Sequence, residues 1–171
     1  TMTAKEDDKK KNIGSILVGF AILMFGMETM SSSVSPLSQD PKFTGILTAF
    51  SNPILGLLAG MVLTAVIQSS SASVGILQAL CVTGVVRYST AIPNIMGQNI
   101  GTCVTALLSG VGASKNARRA SLIHLYFNLI GTLLFLVVFY SLNSFLHFSF
   151  LTQTAGAADI AVIHSLFNIG C

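Results

Sequence analysis

Long apolar runs alternate with short polar clusters along this chain. Residues 13–30 and 120–140 are each apolar enough for a membrane helix, which needs roughly 20 residues to cross a bilayer. Between them, polar clusters at residues 68–71 and 97–102 interrupt the apolar sequence. Hydrocarbon penalises an unpaired polar group by several kcal/mol. Two such clusters therefore indicate a site that binds something polar.

The first cluster separates two short apolar halves. Ser51-Asn52-Pro53 is a typical helix start, because Ser or Asn caps a helix and Pro fits its first turn. The halves cover residues 54–67 and 72–86, about 15 residues each, which is short for a crossing. They predict a re-entrant hairpin broken at the polar cluster, with two complete crossings as the alternative. Glycines in residues 97–102 predict a second break, where the backbone leaves helical geometry.

Composition supports a membrane protein. Of the 171 residues 52% are hydrophobic and 9% are charged, whereas a soluble domain has about 25% charged residues. The predicted fold class is all-α and integral to the membrane, with a polar, disordered stretch at residues 1–12 and one membrane domain at residues 13–171. A net charge of +3 fits loops beside a membrane and gives no indication of nucleic-acid binding. The last apolar segment, from Asp159, is too short to span, so we expect the natural chain to continue.

Charged residues predict the orientation. Loops are expected at residues 31–42, 112–119 and 141–158. Basic residues precede the first helix and follow the fourth apolar stretch, with an even number of crossings between them whether the broken unit is a hairpin or two spans. The positive-inside rule then places the N-terminus and residues 112–119 in the cytoplasm of a multi-pass protein of the cell membrane. The basic residues concerned are Lys5, Lys9, Lys10, Lys11, Lys115, Arg118 and Arg119.

The polar clusters offer mainly neutral oxygens. Their hydroxyl and amide groups, with no carboxylate nearby, suit a weakly held monovalent cation such as Na+ rather than Mg2+ or Ca2+. A helix that restarts after a break offers N–H groups and a positive dipole end, which suit an anion. Binding of Na+ and an oxyanion would then be mutually favourable. Simple helix packing through serines and glycines is the alternative.

The motif Ile-His-x-x-Phe-Asn occurs twice, beginning at Ile123 and Ile163, and predicts a duplicated helix. In each copy His and Asn are four residues apart and share one helix face. A serine protease using His124 as base is weakly supported, because no single activated serine stands out. The two histidines are poor candidates for metal ligands.

The sequence from Thr64 to Ala72, with Gln-Ser-Ser-Ser, followed by Gly-Gln-Asn-Ile-Gly-Thr, resembles the type II sodium/phosphate cotransporters, including their bacterial members. That family has two inverted repeats, each with one such hairpin, and the match is to a single repeat resembling the second. Gln98 departs from the alanine usual at that position. The resemblance implies phosphate ligands at Gln68, Ser69, Ser70 and Ser71. It implies Na+ ligands at Thr64, Gln68, Ser70, Asn99 and Thr102.

The resemblance implies sodium-coupled symport of inorganic phosphate by alternating access, with Na+ as coupling ion, no other cofactor and no enzymatic activity. Since half of the site would be missing, we expect a homodimer or a partner chain that supplies the other repeat within the lipid bilayer. The competing interpretation is a half-transporter that does not transport, or a membrane interaction protein.

Overall fold

The computed structural model describes residues 2–34, 36, 40–42 and 50–170, and this part of the chain is helical apart from short connections. Parts of the predicted loop at residues 31–42, the apolar residues 43–49, and Cys171 lie outside the described residues. A short 3-10 helix, Ser149–Thr152, precedes the last α-helix. The α-helices are α1 (Met2–Val34), α2 (Pro53–Ile67), α3 (Ser70–Val82), α4 (Tyr88–Gly110), α5 (Lys115–Leu146) and α6 (Ala157–Gly170).

Two helices are long and apolar enough to cross a membrane. They are Lys9–Met30 within α1, with 22 residues, and α5, with 32 residues, and very little of either is buried inside the protein. The two membrane helices expected at residues 13–30 and 120–140 are thereby confirmed in length and composition. An exposed apolar surface of this kind is suited to lipid.

Both long helices extend beyond the predicted limits. Helix α1 begins at Met2, so the structure places helix where disorder was expected, and it continues to Val34. Helix α5 begins at Lys115 and ends at Leu146, inside two predicted loops. Polar residues such as Lys, Glu and Ser continue a helix at little cost when no Gly or Pro interrupts them, which the hydropathy pattern does not register.

Helix α4 lies at the centre of the described structure. Every residue from position 90 to 101 is buried, and α2, α3, α5 and α6 all pack against this helix. The prediction of a second helix break at residues 97–102 is wrong, because α4 continues through Gly97 and Gly101 without interruption. These glycines therefore do not unwind the backbone, and they free no carbonyl groups for a cation.

The glycines instead bring two helices into backbone contact. A Cβ atom at Gly97 would overlap the carbonyl oxygen of Leu57, and one at Gly101 would lie 2.5 Å from Met61 O. On the opposing face of α2, a Cβ at Gly60 would overlap Asn94 O. Small residues spaced four apart on both helices allow this approach, as is common between membrane helices. The contact fixes α2, and with it the start of the hairpin, against the central helix.

An apolar cluster closes the opposite end of the hairpin. Leu77 and Cys81 of α3 pack with Ile95 of α4 and Ile160 of α6. The chain leaves α3 through Gly84, whose φ is +73°, and Tyr88 N donates a hydrogen bond to Gln153 O over 3.1 Å. Helix α1 packs mainly against α3. These contacts leave the other end of the hairpin, at residues 68–71, free of the apolar core.

Candidate functional site

A two-residue turn, Gln68 and Ser69, joins α2 to α3. Asn52 caps the start of α2 by accepting a hydrogen bond from Ile54 N, with Pro53 in the first turn, as the sequence predicts. Gln68 ends α2 in the left-handed conformation, with φ 58°, and its N–H donates to Thr64 O over 2.7 Å. Ser69 is extended and caps α3, its hydroxyl accepting from Ala72 N over 3.3 Å.

The turn presents unpaired polar groups at the surface. Gln68 and Ser71 are exposed, and Ser69 and Ser70 are partly exposed. Within the described residues, the side chains of Gln68, Ser70 and Ser71 form no hydrogen bond with protein. Ser73 N makes the first intrahelical bond of α3, to Ser69 O, so the N–H groups of Ser70 and Ser71 precede it. The turn therefore combines hydroxyl groups with the positive end of a 13-residue helix.

A layer of buried polar side chains lies directly behind the turn. Thr64 Oγ1 donates to Ser73 Oγ over 2.8 Å, which joins the two halves of the hairpin. Gln98 Nε2 donates to Asn94 Oδ1 over 2.9 Å and to Ser73 O over 3.4 Å, which joins the hairpin to α4. Thr64, Ser73 and Gln98 are each completely buried. This buried polar layer, comprising Thr64, Ser73, Asn94 and Gln98, fixes the position of the turn.

One oxygen in the buried polar layer has no partner. Gln98 Oε1 is buried, and no described residue donates a hydrogen bond to it. An orphaned amide oxygen costs about 1–3 kcal/mol, and native structures contain few such groups. The sequence singles out Gln98 only as a departure from the family pattern.

Sequence reasoning missed Ser73 and Asn94 as parts of the site. The helical period could have indicated both residues. Ser73 lies four residues after Ser69, and Asn94 lies four residues before Gln98, so the members of each pair share a helix face. Once α4 is read as an unbroken helix, Asn94 and Gln98 share a face. The expected break at residues 97–102 concealed this relation.

The two remaining predicted ligands of α4 are used differently. Asn99 is buried and faces α6, where its Nδ2 donates to Asn168 Oδ1 over 3.2 Å. Thr102 Oγ1 donates to Gln98 O over 2.9 Å, within its own helix. No hydrogen bond among the described residues joins either side chain to the turn. The structure thus brings Thr64 close behind Gln68–Ser71 but places Asn99 on another face of α4.

The chemistry of the whole region is that of neutral donors and acceptors. No group of three or more His, Cys, Asp or Glu side chains among the described residues could hold a metal ion. Hydroxyl, amide and carbonyl oxygens can bind a monovalent cation, and the same hydroxyls together with N–H groups can bind an oxyanion. Among the described residues of this region no nucleophile is paired with a base for covalent chemistry, so the arrangement is suited to binding.

Known proteins with similar sequences include phosphate transport proteins. The sequence model of a family described as Na+/Pi-cotransporter matches residues 22–156. An uncharacterized protein of Bacillus subtilis, YqeW, is 31% identical over 160 residues, which cover 93% of this chain and 51% of YqeW. Sodium-dependent phosphate transport protein 2A of rat is 40% identical over 92 residues, covering 50% of this chain and 14% of the rat protein.

A human relative is similar over a comparable length. Sodium-dependent phosphate transport protein 2B is 39% identical over 103 residues, which cover 57% of this chain and 15% of that protein. The chain therefore spans about half the length of the Bacillus relative and a much smaller share of the mammalian ones. No solved structure is significantly similar to it.

Proposed function

Because the chain belongs to the Na+/Pi-cotransporter family, we propose that it forms one repeat of a sodium-coupled transporter of inorganic phosphate in the cell membrane. The members of this family are transporters and not enzymes. The mammalian relatives carry sodium-dependent phosphate transport in their names. Mechanistically, we propose symport by alternating access, in which phosphate and Na+ bind together at the turn of the α2–α3 hairpin.

The observation on which the proposal depends is the position of the turn. Its exposed polar groups lie between Thr64 and Ser73, which belong to the buried polar layer, and that layer also contains the unpaired Gln98 Oε1. Helices α2 and α3 have 15 and 13 residues, about 20 Å each, which is shorter than the roughly 30 Å hydrocarbon core. A re-entrant hairpin would place this turn within the membrane, where a polar ligand needs such groups.

Individual roles follow from the chemistry of each group. Phosphate would accept hydrogen bonds from the N–H and O–H groups at Ser69, Ser70 and Ser71, with the Gln68 amide as a further donor. Na+ would bind oxygens of Thr64, Gln68 and Ser70, with Asn99 and Thr102 contributing once the surrounding helices adjust. The bound cation lowers the cost of bringing an oxyanion into hydrocarbon, which couples the two binding events.

The exposure of the hairpin turn is consistent with a two-part transporter. The site at the hairpin turn is exposed on the side away from α4, and a second repeat could cover it. We propose that a second copy of this chain, or a partner chain, supplies that repeat in inverted orientation. Cross-linking between Ser71→Cys copies in membranes would support pairing through the turns, and monomeric chains that transport phosphate would contradict it.

Phosphate uptake into proteoliposomes tests the function. We expect an inward Na+ gradient to drive uptake of radiolabelled phosphate, and we expect arsenate to compete with it. Gln68→Ala and Ser70→Ala should each lower uptake at least tenfold, because each removes hydrogen bonds to a charged ligand. Gln153→Ala and Ser144→Ala, which are exposed and remote from the turn, are the matched controls. Uptake that is independent of Na+, or that survives both site substitutions, would contradict the proposal and favour a non-transporting interaction protein.

A further inference from the structure

A groove of about 630 Å3 lies beside the hairpin turn, between α1, α3 and α6. Met27 and Met30 of α1 form one wall, and Met30 Cε lies close to Gly75 on α3. Its polar lining comes from Ser70, Ser71 and Gln78 of α3, and from His164 of α6. The groove therefore continues from the proposed phosphate site and adds one imidazole to its hydroxyl groups.

His164 is held at this position from both sides along α6. Asn168 Nδ2 donates to His164 O over 2.7 Å, and Asn168 Oδ1 accepts from Asn99, which ties this turn of α6 to α4. At the start of α6, Gln78 Nε2 donates to Ala157 O over 3.1 Å, which ties the helix to α3. The imidazole itself is half-buried and forms no hydrogen bond with any described residue.

A free imidazole that lines the same groove as two hydroxyl groups suits a protonated oxyanion. In the neutral ring one nitrogen donates a hydrogen bond and the other accepts one. Hydrogen phosphate presents both acceptor oxygens and a P–OH donor, so a neutral ring could contact it with either nitrogen. No carboxylate side chain lines the groove to repel an anion.

The first copy of the duplicated motif provides a contrast. His124 occupies the same place in Ile-His-x-x-Phe-Asn, and Asn128 Nδ2 likewise donates to His124 O, over 2.9 Å. His124 is exposed on the apolar surface of α5 and lines no described groove with serines. The two histidines thus share local structure and differ in surroundings, and only His164 faces the hairpin.

We propose that His164 is a phosphate-binding residue, which contacts the oxyanion from the groove while Ser70 and Ser71 hold it at the start of α3. This inference rests on the proposed function, because it assigns phosphate to the same turn. It adds a contact from α6, so that closing or opening of the α3–α6 groove would change the affinity for phosphate.

Uptake kinetics provide the first test. His164→Ala should raise the KM for phosphate about tenfold or more, because one hydrogen bond to a charged ligand is lost, and should change kcat much less. His124→Ala is the matched control and should keep the KM of the unmodified chain. Equal KM values for the two variants would overturn the proposal. A monodisperse elution profile for both variants in detergent shows that each is folded.

Protection from a thiol reagent tests binding without transport. His164→Cys and His124→Cys are made in a chain whose own cysteines are replaced by serine or alanine. We expect inorganic phosphate, but not chloride, to slow modification of position 164 several-fold and to leave position 124 unaffected. Protection in a chain that shows no uptake would support the binding site while contradicting the transport proposal. Na+-driven uptake without protection at position 164 would overturn the inference and leave the transport proposal intact.

Discussion

At the scale of single residues, the absence of a Cβ atom decides how closely α2 and α4 approach. Gly97 and Gly101 each face backbone of α2, so that any larger residue requires the helices to separate. The separation would also weaken the hydrogen bonds of the buried polar layer, since Gln98 reaches Ser73 O across 3.4 Å. The glycines are therefore part of the architecture of the site although they offer no side chain.

Gly97→Ala should consequently lower the free energy of unfolding by about 1–3 kcal/mol, the usual cost of overpacking. Denaturant titration of the protein in detergent micelles measures this change. Gly19→Ala on α1 is the matched control, because no described atom lies within 4 Å of a Cβ at that position. Equal stability of the two variants would show that the helices are not in contact at Gly97.

A second effect at this scale is the pairing of Thr64 with Ser73. In a double-mutant cycle of Thr64→Val and Ser73→Ala, we expect a coupling energy of about 0.5–2 kcal/mol, since both hydroxyls are buried and membrane hydrogen bonds lie in this range. Denaturant titration of the three variants gives the value. A coupling near zero would mean that the two halves of the hairpin are not joined at this point.

At the scale of the helices, the hairpin depends on a left-handed residue. Gln68 has φ 58°, a conformation that glycine adopts without the penalty of about 1 kcal/mol that a side chain incurs. Glycine would avoid this conformational strain, so a glutamine at this position suggests that its amide has a function.

Gln68→Gly should therefore stabilise the protein by about 1 kcal/mol and yet reduce Na+-driven phosphate uptake. Thermal unfolding and uptake are measured on the same preparation. Gln68→Asn, which keeps an amide and tolerates positive φ, should retain part of the uptake. A Gln68→Gly variant that gains stability and transports normally would show that the Gln68 amide is not part of the site.

The sequence predicts some elements well and others poorly, for identifiable reasons. Residues 13–30, residues 120–140 and the capped start of α2 follow from hydropathy and from Asn52-Pro53, which act locally. The continuity of α4 could not be predicted in this way, because the effect of Gly97 depends on what faces it. Backbone from α2 faces it, and that contact lies about 40 residues away in sequence.

The same distinction holds for the candidate site. The turn at residues 68–71 can be predicted from the sequence, because it is a polar cluster between two apolar segments. The roles of Ser73 and Asn94 depend on which side chains meet across the hairpin and α4, and hydrophobic patterning contains no such information. The hydrogen bond between Asn99 and Asn168, which are 69 residues apart in sequence, could not be predicted from patterning for the same reason.

At the scale of the whole molecule, the orientation remains a prediction from charge. Ser114 precedes α5, and Gln153 follows it, so the two positions lie on opposite sides of the membrane if α5 spans it. We expect Gln153→Cys to react with a membrane-impermeant thiol reagent in intact cells. Ser114→Cys should react only after the cells are opened, because Lys115, Arg118 and Arg119 favour the cytoplasm. The reverse pattern would invert the topology.

The position of α4 at the centre of the fold has a consequence for how the protein is made. Of its 23 residues, Asn94, Gln98 and Asn99 are amides, and α4 is not among the helices apolar enough to enter a bilayer on their own account. Gln98 and Asn99 donate hydrogen bonds to partners on α3 and α6, and α6 is synthesised after α4. If α4 enters the membrane during translation, we therefore expect the glycine face of α2 to hold it until α6 has been synthesised.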